Sequence, residues 1–199
     1  MRVILILLLL FVAPASGYSQ TPAASPIPKH KTKVETSYDA RMNVTCALIR
    51  LELYNPSGIA EASYERVDLL ISFSYPGKKI VTPQTVTLSV YSAMTGRKQF
   101  QYERNISVLT DSGNHDFGDL EVLSSDQTRV NTGGSYPLVA ETVYREVVRK
   151  DIPFDDFAQI AQSKTAQIKL AGRKFKLTKE HLEALQNFLK LMQQQGLEF

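Results

Sequence analysis

The sequence predicts an α+β protein: an antiparallel β-sandwich or curved β-sheet with a short helix, a β-hairpin and a longer C-terminal amphipathic helix. Short segments with strand-like alternation occupy the middle of the chain. Turn-forming Pro, Gly and Asn residues separate these segments. Helical spacing of apolar residues begins only after residue 151. Strands followed by helices, rather than alternating with them, are typical of α+β folds.

Residues 1–17 have the three parts of a secretory signal peptide. Arg2 provides the charge, residues 3–12 form an apolar run, and small residues follow, including Ala15 and Gly17. The run is about half the ~20 residues that a membrane-spanning helix needs. We therefore expect cleavage after Gly17 or Ala15, export to the periplasm or the exterior, and no transmembrane segment after cleavage.

Residues 18–36 are predicted to be a flexible, Pro-rich leader. Pro22, Pro26 and Pro28 lie among small and polar residues with few large apolar groups. Such a segment buries too little surface to offset the entropy lost on ordering. A single β-rich domain, residues 37–199, is expected to follow the leader.

The charge and cysteine content argue against a nucleic-acid-binding protein and against a protein stabilised by internal disulfides. The chain has 199 residues, a net charge of +3 and one cysteine, Cys46. A nucleic-acid partner is not expected, because dedicated nucleic-acid binders are more basic. One cysteine allows no internal disulfide, which favours a bacterial origin for an exported protein. Cys46 lies in a strand pattern and is expected to be a buried, inert side chain.

Six segments are predicted to be strands on alternation, β-branched content and flanking turn residues. Thr95-Gly96 is interpreted as a hairpin turn between the third and fourth of them. The six segments are Met42–Tyr54, Val67–Tyr75, Thr85–Tyr91, Gln99–Leu109, Phe117–Leu123 and Val139–Val148.

The last fifth of the chain has helix signals on either side of a hairpin signal. Pro153 suits the first turn of a short helix. Residues 166–177 form two short alternating runs around Ala171-Gly172-Arg173, which predicts a β-hairpin. Thr178 is expected to cap a helix that continues to about Gln195, with Gly196 as its stop.

This C-terminal pattern resembles that of certain uncharacterised exported bacterial proteins. The resemblance rests on Ile152-Pro153-Phe154, Phe157, Ile160-Ala161, Ile168-x-Leu170-x-Gly172, Phe175-x-Leu177-Thr178 and Leu182-x-x-Leu185. It covers about 45 residues, all at packing or capping positions. It implies the fold and bacterial export, and it implies no activity.

The chain contains no common catalytic or phosphate-binding motif, and no cofactor is expected. The densest polar segment runs from Asp111 to Asp119. Asp111, Asn114, Asp116 and Asp119 carry oxygen atoms of the type that Ca²⁺ binds, although their spacing does not follow the EF-hand pattern. The alternatives are an ordinary loop between strands, a cation site, and a catalytic pair of His115 and Asp116.

A basic hairpin is the other candidate. Lys169, Arg173, Lys174 and Lys176 lie close together with no acidic residue between them, and Lys174 and Lys176 share one face of a strand. Such a surface suits an envelope protein or an anionic glycan. Lysines on an edge hairpin also simply discourage aggregation.

Two functions follow from these observations. The first is an exported, non-catalytic binding module at the cell envelope that uses the basic hairpin. The alternative is an exported hydrolase with a site near the Asp111–Asp119 segment. The sequence assigns no residue a catalytic role.

Overall fold

A computed structural model describes residues 34–56, 65–131, 140–194 and 196. The predicted signal peptide and most of the predicted leader lie outside these ranges. The described residues form ten strands and two helices. They are β1 (Glu35–Asp39), β2 (Val44–Tyr54), β3 (Arg66–Pro76), β4 (Thr85–Thr95), β5 (Asn105–Thr110), β6 (Asn114–Asp119), β7 (Glu121–Asn131), β8 (Ala140–Pro153), α1 (Phe154–Gln162), β9 (Ala166–Leu170), β10 (Arg173–Lys176) and α2 (Lys179–Gln193).

The strands form two antiparallel sheets. The larger sheet has the order β1-β2-β3-β4-β8-β7, and the smaller has the order β10-β9-β5-β6. β4 and β8 form the longest ladder, from Thr85 opposite Pro153 to Thr95 opposite Val143. The predicted α+β class with antiparallel strands is confirmed.

One core joins both sheets and both helices. Alternate residues of the strands face this core, for example Ile71 on β3 and Val108 on β5. Phe188 of α2 lies edge-on to Phe73 of the larger sheet at 5.4 Å, and to Phe157 of α1 at 6.2 Å. The last helix therefore packs on a sheet face, as its apolar stripe predicts.

Both predicted helices are present, but α1 begins slightly later than predicted. Pro153 ends β8 and precedes α1 instead of lying in its first turn, whereas Asp155 and Asp156 do lie in that turn. Thr178 caps α2, where its hydroxyl accepts a hydrogen bond from the backbone N–H of His181 at 3.2 Å. α2 ends at Gln193, about two residues before the predicted end. Among the described residues, neither helix has the length and apolar character needed to cross a membrane.

The prediction of a hairpin at Thr95-Gly96 is wrong. Gly96 does turn with a φ of 77°, but β4 pairs with β3 and β8. The chain instead runs through a loop, residues 96–104, and enters the smaller sheet as β5. The local turn signal was correct, whereas the choice of pairing partner depended on distant residues.

Other predicted boundaries also differ. Glu35 and Thr36, assigned to the leader, belong to the edge strand β1. The segment Phe117–Leu123 is not one strand, because buried Leu120 separates β6 from β7 and these strands lie in different sheets. The loop expected between Asp111 and Asp119 contains β6.

Candidate functional site

The smaller sheet brings both sequence-predicted regions onto one molecular face. Its registers align Lys174, Lys169, Ser107 and Asp116 in one row across the four strands. The neighbouring outward row is Lys176, Gln167, Leu109 and Asn114. The lysines thus lie at the β9–β10 side and the acidic segment lies at the β6 side.

Three exposed lysines, Lys169, Lys174 and Lys176, form what we call the lysine cluster. The turn between their strands consists of Ala171 and Gly172, with φ values of 46° and 74°. A two-residue turn with both residues in the left-handed region is a tight hairpin turn that fixes the register. The predicted hairpin is therefore confirmed, with Lys174 directly opposite Lys169.

The pairing geometry brings these two lysines close together. Leu170 and Arg173 flank the turn as a hydrogen-bonded pair, so the next pair, Lys169 and Lys174, is not hydrogen-bonded. Side chains of such pairs approach most closely. No ion pair joins any of the three lysines to a residue in the described ranges.

Arg173, the fourth predicted member of the basic hairpin, lies away from the lysine cluster. It shares the strand face of buried Phe175. Its guanidinium lies 4.6 Å from the Tyr54 ring centroid and 5.2 Å from that of Phe175, within cation–π range. Nη1 also donates to Oε1 of Gln99 at 3.2 Å. Arg173 thereby links the hairpin to the 96–104 loop.

A surface cleft of about 360 Å³ opens where that loop meets the hairpin turn. We call it the arginine cleft; its cationic lining residues are Arg97, Lys98 and Arg173. Tyr102 and Glu103 also line it. The sequence does not predict this site, because residues 97–103 are brought to the hairpin only by the pairing of strands that are distant in sequence.

Glu146 holds the loop of the arginine cleft in place. This side chain is 3% exposed, and its Oε2 accepts the backbone N–H groups of Gln99 at 2.5 Å and Phe100 at 3.1 Å. Phe100 itself is buried. A buried carboxylate that accepts two amide N–H groups satisfies its own hydrogen-bonding needs and fixes the backbone that donates to it.

Three of the four predicted cation ligands, Asp111, Asp116 and Asp119, are not grouped as a metal site. Oδ1 of Asp111 accepts the backbone N–H groups of Lys164 at 2.9 Å and Thr165 at 3.3 Å. The bond from Thr165 contributes most to lowering the pKa of Asp111 below its ordinary value. Asp116 accepts the N–H of Gly118 at 3.0 Å. Within the described part of the chain, no three or more His, Cys, Asp or Glu residues are grouped to hold a metal ion.

His115 pairs with Asp156 rather than with its neighbour Asp116. β6 turns the ring towards the core, in register with Val108, and Nδ1 lies 3.3 Å from Oδ1 of Asp156 on α1. The His115 side chain is 10% exposed, and its Nε2 is buried without a hydrogen-bond partner. The His–Asp contact therefore joins the smaller sheet to α1, with the second nitrogen shielded from solvent.

Two further polar groups lie in the larger sheet. Asp68 is fully buried and pairs with Arg50, whose Nη2 is 2.9 Å away, and with Nε of Arg66. These opposite charges compensate one another inside the structure. Cys46 is a free cysteine that is half-buried rather than fully buried, and burial raises the pKa of its thiol, which disfavours the reactive thiolate.

Comparisons with protein-family models, with curated proteins and with solved structures gave no match to this chain. The resemblance to exported bacterial proteins stays a prediction.

Proposed function

We propose that this chain is an exported, non-catalytic binding module that attaches to an anionic partner at the cell envelope through the lysine cluster. The proposal rests on two exposed lysines, Lys169 and Lys174, which lie directly opposite each other on paired strands. Neither has an acidic partner within the described residues. An anionic partner would supply the missing negative charge.

The positive charges of the lysine cluster repel one another in the free protein. Like charges directly opposite on an antiparallel pair are unfavourable, on the scale of ~0.2–1 kcal/mol per cross-strand pair. Lys176 adds a third positive charge on the same face. An anionic surface offsets this repulsion on contact. Part of the binding free energy therefore comes from removing the repulsion between the lysine side chains.

Protection of the sheet edge explains only part of the cluster. β10 is an edge strand, and lysines there discourage pairing with other chains. β9 lies between β10 and β5 and has no free edge. Lys169 therefore does not serve edge protection, whereas a binding surface accounts for all three lysines.

The hydrolase alternative gains less support from the geometry. Its general base would be His115, oriented by Asp156 at Nδ1. A general base must reach a proton of the substrate, and Nε2 of His115 is buried. This alternative predicts that His115→Ala abolishes a hydrolytic activity of the folded protein, which is its direct test.

The proposal is tested by retention of the mature protein on cell-envelope material. We expect Lys174→Glu with Lys176→Glu to reduce the retained fraction by at least tenfold at low salt, because two attractive contacts become repulsive. Arg129→Glu with Lys190→Glu reverses two exposed charges elsewhere, on β7 and α2, and should retain like wild type. Equal retention of all three proteins would contradict the proposal.

Export is tested separately by the N-terminus of the protein recovered outside the cytoplasm. Cleavage after Gly17 leaves Tyr18 as the first residue, and cleavage after Ala15 leaves Ser16. Intact mass of that fraction distinguishes the two. Recovery of the chain with Met1 still attached, in the cytoplasm alone, would contradict export.

A further inference from the structure

We infer that the arginine cleft binds an acidic sugar unit, with the anionic group between Arg97 and Lys98 and the sugar ring against Tyr102. The inference rests on the proposed function and deepens it, since it assigns the anionic partner to a chemical class. It adds a second contact region at the turn end of the same hairpin.

The charge of the cleft favours an anion. Arg97 and Lys98 are exposed and form no ion pair with a residue in the described ranges. Arg173 adds a third cationic group, and Glu103 is the one acidic side chain of the lining. A carboxylate or sulfate group therefore finds an excess of positive charge here, with the planar Arg97 guanidinium as a two-point donor.

Tyr102 favours a sugar as the carrier of that anionic group. Its side chain lines the cleft and is 92% exposed, so an aromatic face is presented to water. Such a face packs against the C–H groups of a sugar ring, while the tyrosine hydroxyl stays hydrated. Gln99 and Gln101 supply amide donors and acceptors for sugar hydroxyls.

The remaining lining argues against an acidic peptide or a lipid. Apart from Ala171 and Tyr102, every lining side chain is charged or carries an amide. Leucine, isoleucine, valine, phenylalanine and methionine side chains, which would hold an acyl group or an apolar peptide side chain, are not among these lining residues. The charged and amide side chains of the lining suit a hydrated, acidic sugar unit.

The cleft is held in shape before any ligand arrives. Glu146 fixes the backbone at Gln99 and Phe100, and Gly96 donates its N–H to the Thr142 carbonyl at 2.9 Å. Arg173 bonds Gln99 from the hairpin side. Binding to such a pre-formed site loses little conformational entropy.

The test measures binding of polygalacturonate and dextran sulfate to the mature protein. Poly-L-glutamate serves as an anion without sugar, and methyl-esterified polygalacturonate serves as a sugar chain without the charge. We expect wild type to bind both acidic polysaccharides and not the methyl ester. Tyr102→Ala should weaken polysaccharide binding about tenfold, equivalent to ~1.4 kcal/mol, and leave poly-L-glutamate binding unchanged.

One control variant and one charge variant separate the possible outcomes. Tyr38→Ala removes another exposed tyrosine, opposite Thr45 at the far end of β2 from Tyr54, and should bind like wild type. Arg97→Gln with Lys98→Gln should weaken binding of every anionic probe.

The failure of this inference is distinct from failure of the proposed function. If Lys169→Glu with Lys174→Glu abolishes binding while Tyr102→Ala and the Arg97/Lys98 variant bind like wild type, the lysine cluster stands and the cleft is not a sugar site. A Tyr102→Ala loss that is equal for poly-L-glutamate assigns the cleft to an acidic polypeptide and overturns the inference. Wild type that binds neither acidic polysaccharide also overturns it.

Discussion

Glu146 is the side chain on which the shape of the arginine cleft depends. Its carboxylate is buried and accepts two backbone N–H groups of the loop. Removing the charge weakens both bonds, and hydrogen bonds to charged groups contribute more than neutral ones. A single residue of β8 thus connects the stability of the fold to the geometry of a surface site.

We expect Glu146→Gln to lower the free energy of unfolding by about 1–3 kcal/mol. The same variant should weaken binding at the cleft, because the loop is no longer fixed. Urea denaturation followed by circular dichroism measures the first effect. Glu121→Gln is the control: it removes an exposed ion pair with Arg149 and should cost less than ~1 kcal/mol. Equal losses in both variants would contradict the role given to Glu146.

The sequence predicted the position of a side chain correctly where the alternation of a strand alone decides which face that side chain lies on. The alternation of Lys174 and Lys176 with Phe175 placed the two lysines on an outward face, and they lie there. Glu146 was missed because it shares a strand face with Val148 and Ile152, and only the pairing with Ser92 of β4 shows its surroundings. Arg173 was missed as a bridging residue because Tyr54 and Gln99 are distant in sequence.

At the scale of elements, the N-terminus of α2 combines a cap with a titrating group. Thr178 and His181 cap each other, with the Thr178 N–H donating to Nδ1 of His181 at 3.5 Å. Burial lowers the pKa of His181. The charged form is therefore less favourable in the folded protein than in the unfolded chain, and protonated Nδ1 no longer accepts a hydrogen bond.

This lowered pKa predicts a pH dependence of stability. Because the unfolded chain binds the proton more readily, the contribution of His181 is present above its ordinary pKa of about 6.5 and is lost as the pH falls through the lower, folded value. His181→Gln keeps a capping-box side chain without titrating. We expect wild type to lose more stability than His181→Gln between pH 8 and pH 5, measured by urea denaturation. Equal losses would rule out this contribution.

Element prediction was reliable for local signals and failed for pairing. The β9–β10 hairpin and the cap at Thr178 depend on a few neighbouring residues, and both are present, although the turn is Ala171-Gly172 and the predicted third turn residue, Arg173, begins β10. Gly96 gave an equally local turn signal. The loop that follows it is held by Glu146, about 45 residues away, so no local pattern indicated that β5 joins another sheet.

At the scale of the whole molecule, both sheets and both helices share one core. A small apolar cavity is lined by Leu69 of the larger sheet, Val108 of the smaller sheet, Phe157 of α1 and Leu185 of α2. The smaller sheet, which carries the lysine cluster and borders the arginine cleft, is therefore stabilised by packing against the larger sheet and both helices. The fold class was predictable because helices followed strands, and a two-sheet sandwich was one of the two predicted arrangements, whereas the assignment of each strand to its sheet was not predictable.

The shared core predicts a single unfolding transition. Phe188 is fully buried between Phe73 and Phe157, so Phe188→Ala should cost about 3–5 kcal/mol. Phe188→Leu should cost less, which keeps the comparison measurable if the alanine variant does not fold. Lys190→Ala on the exposed side of α2 should stay within ~0.5 kcal/mol of wild type. Loss of α2 alone, with amides of both sheets still protected from hydrogen exchange, would contradict the shared core.

Amide NMR with a dextran sulfate oligomer reports whether an anionic partner contacts the hairpin of β9 and β10. We expect the amide shifts to concentrate at residues 167–176 and 97–103, and Lys169→Glu with Lys174→Glu to remove the shifts at the hairpin. Shifts centred on β7 or α2, or spread evenly over all lysines and arginines, would contradict that contact.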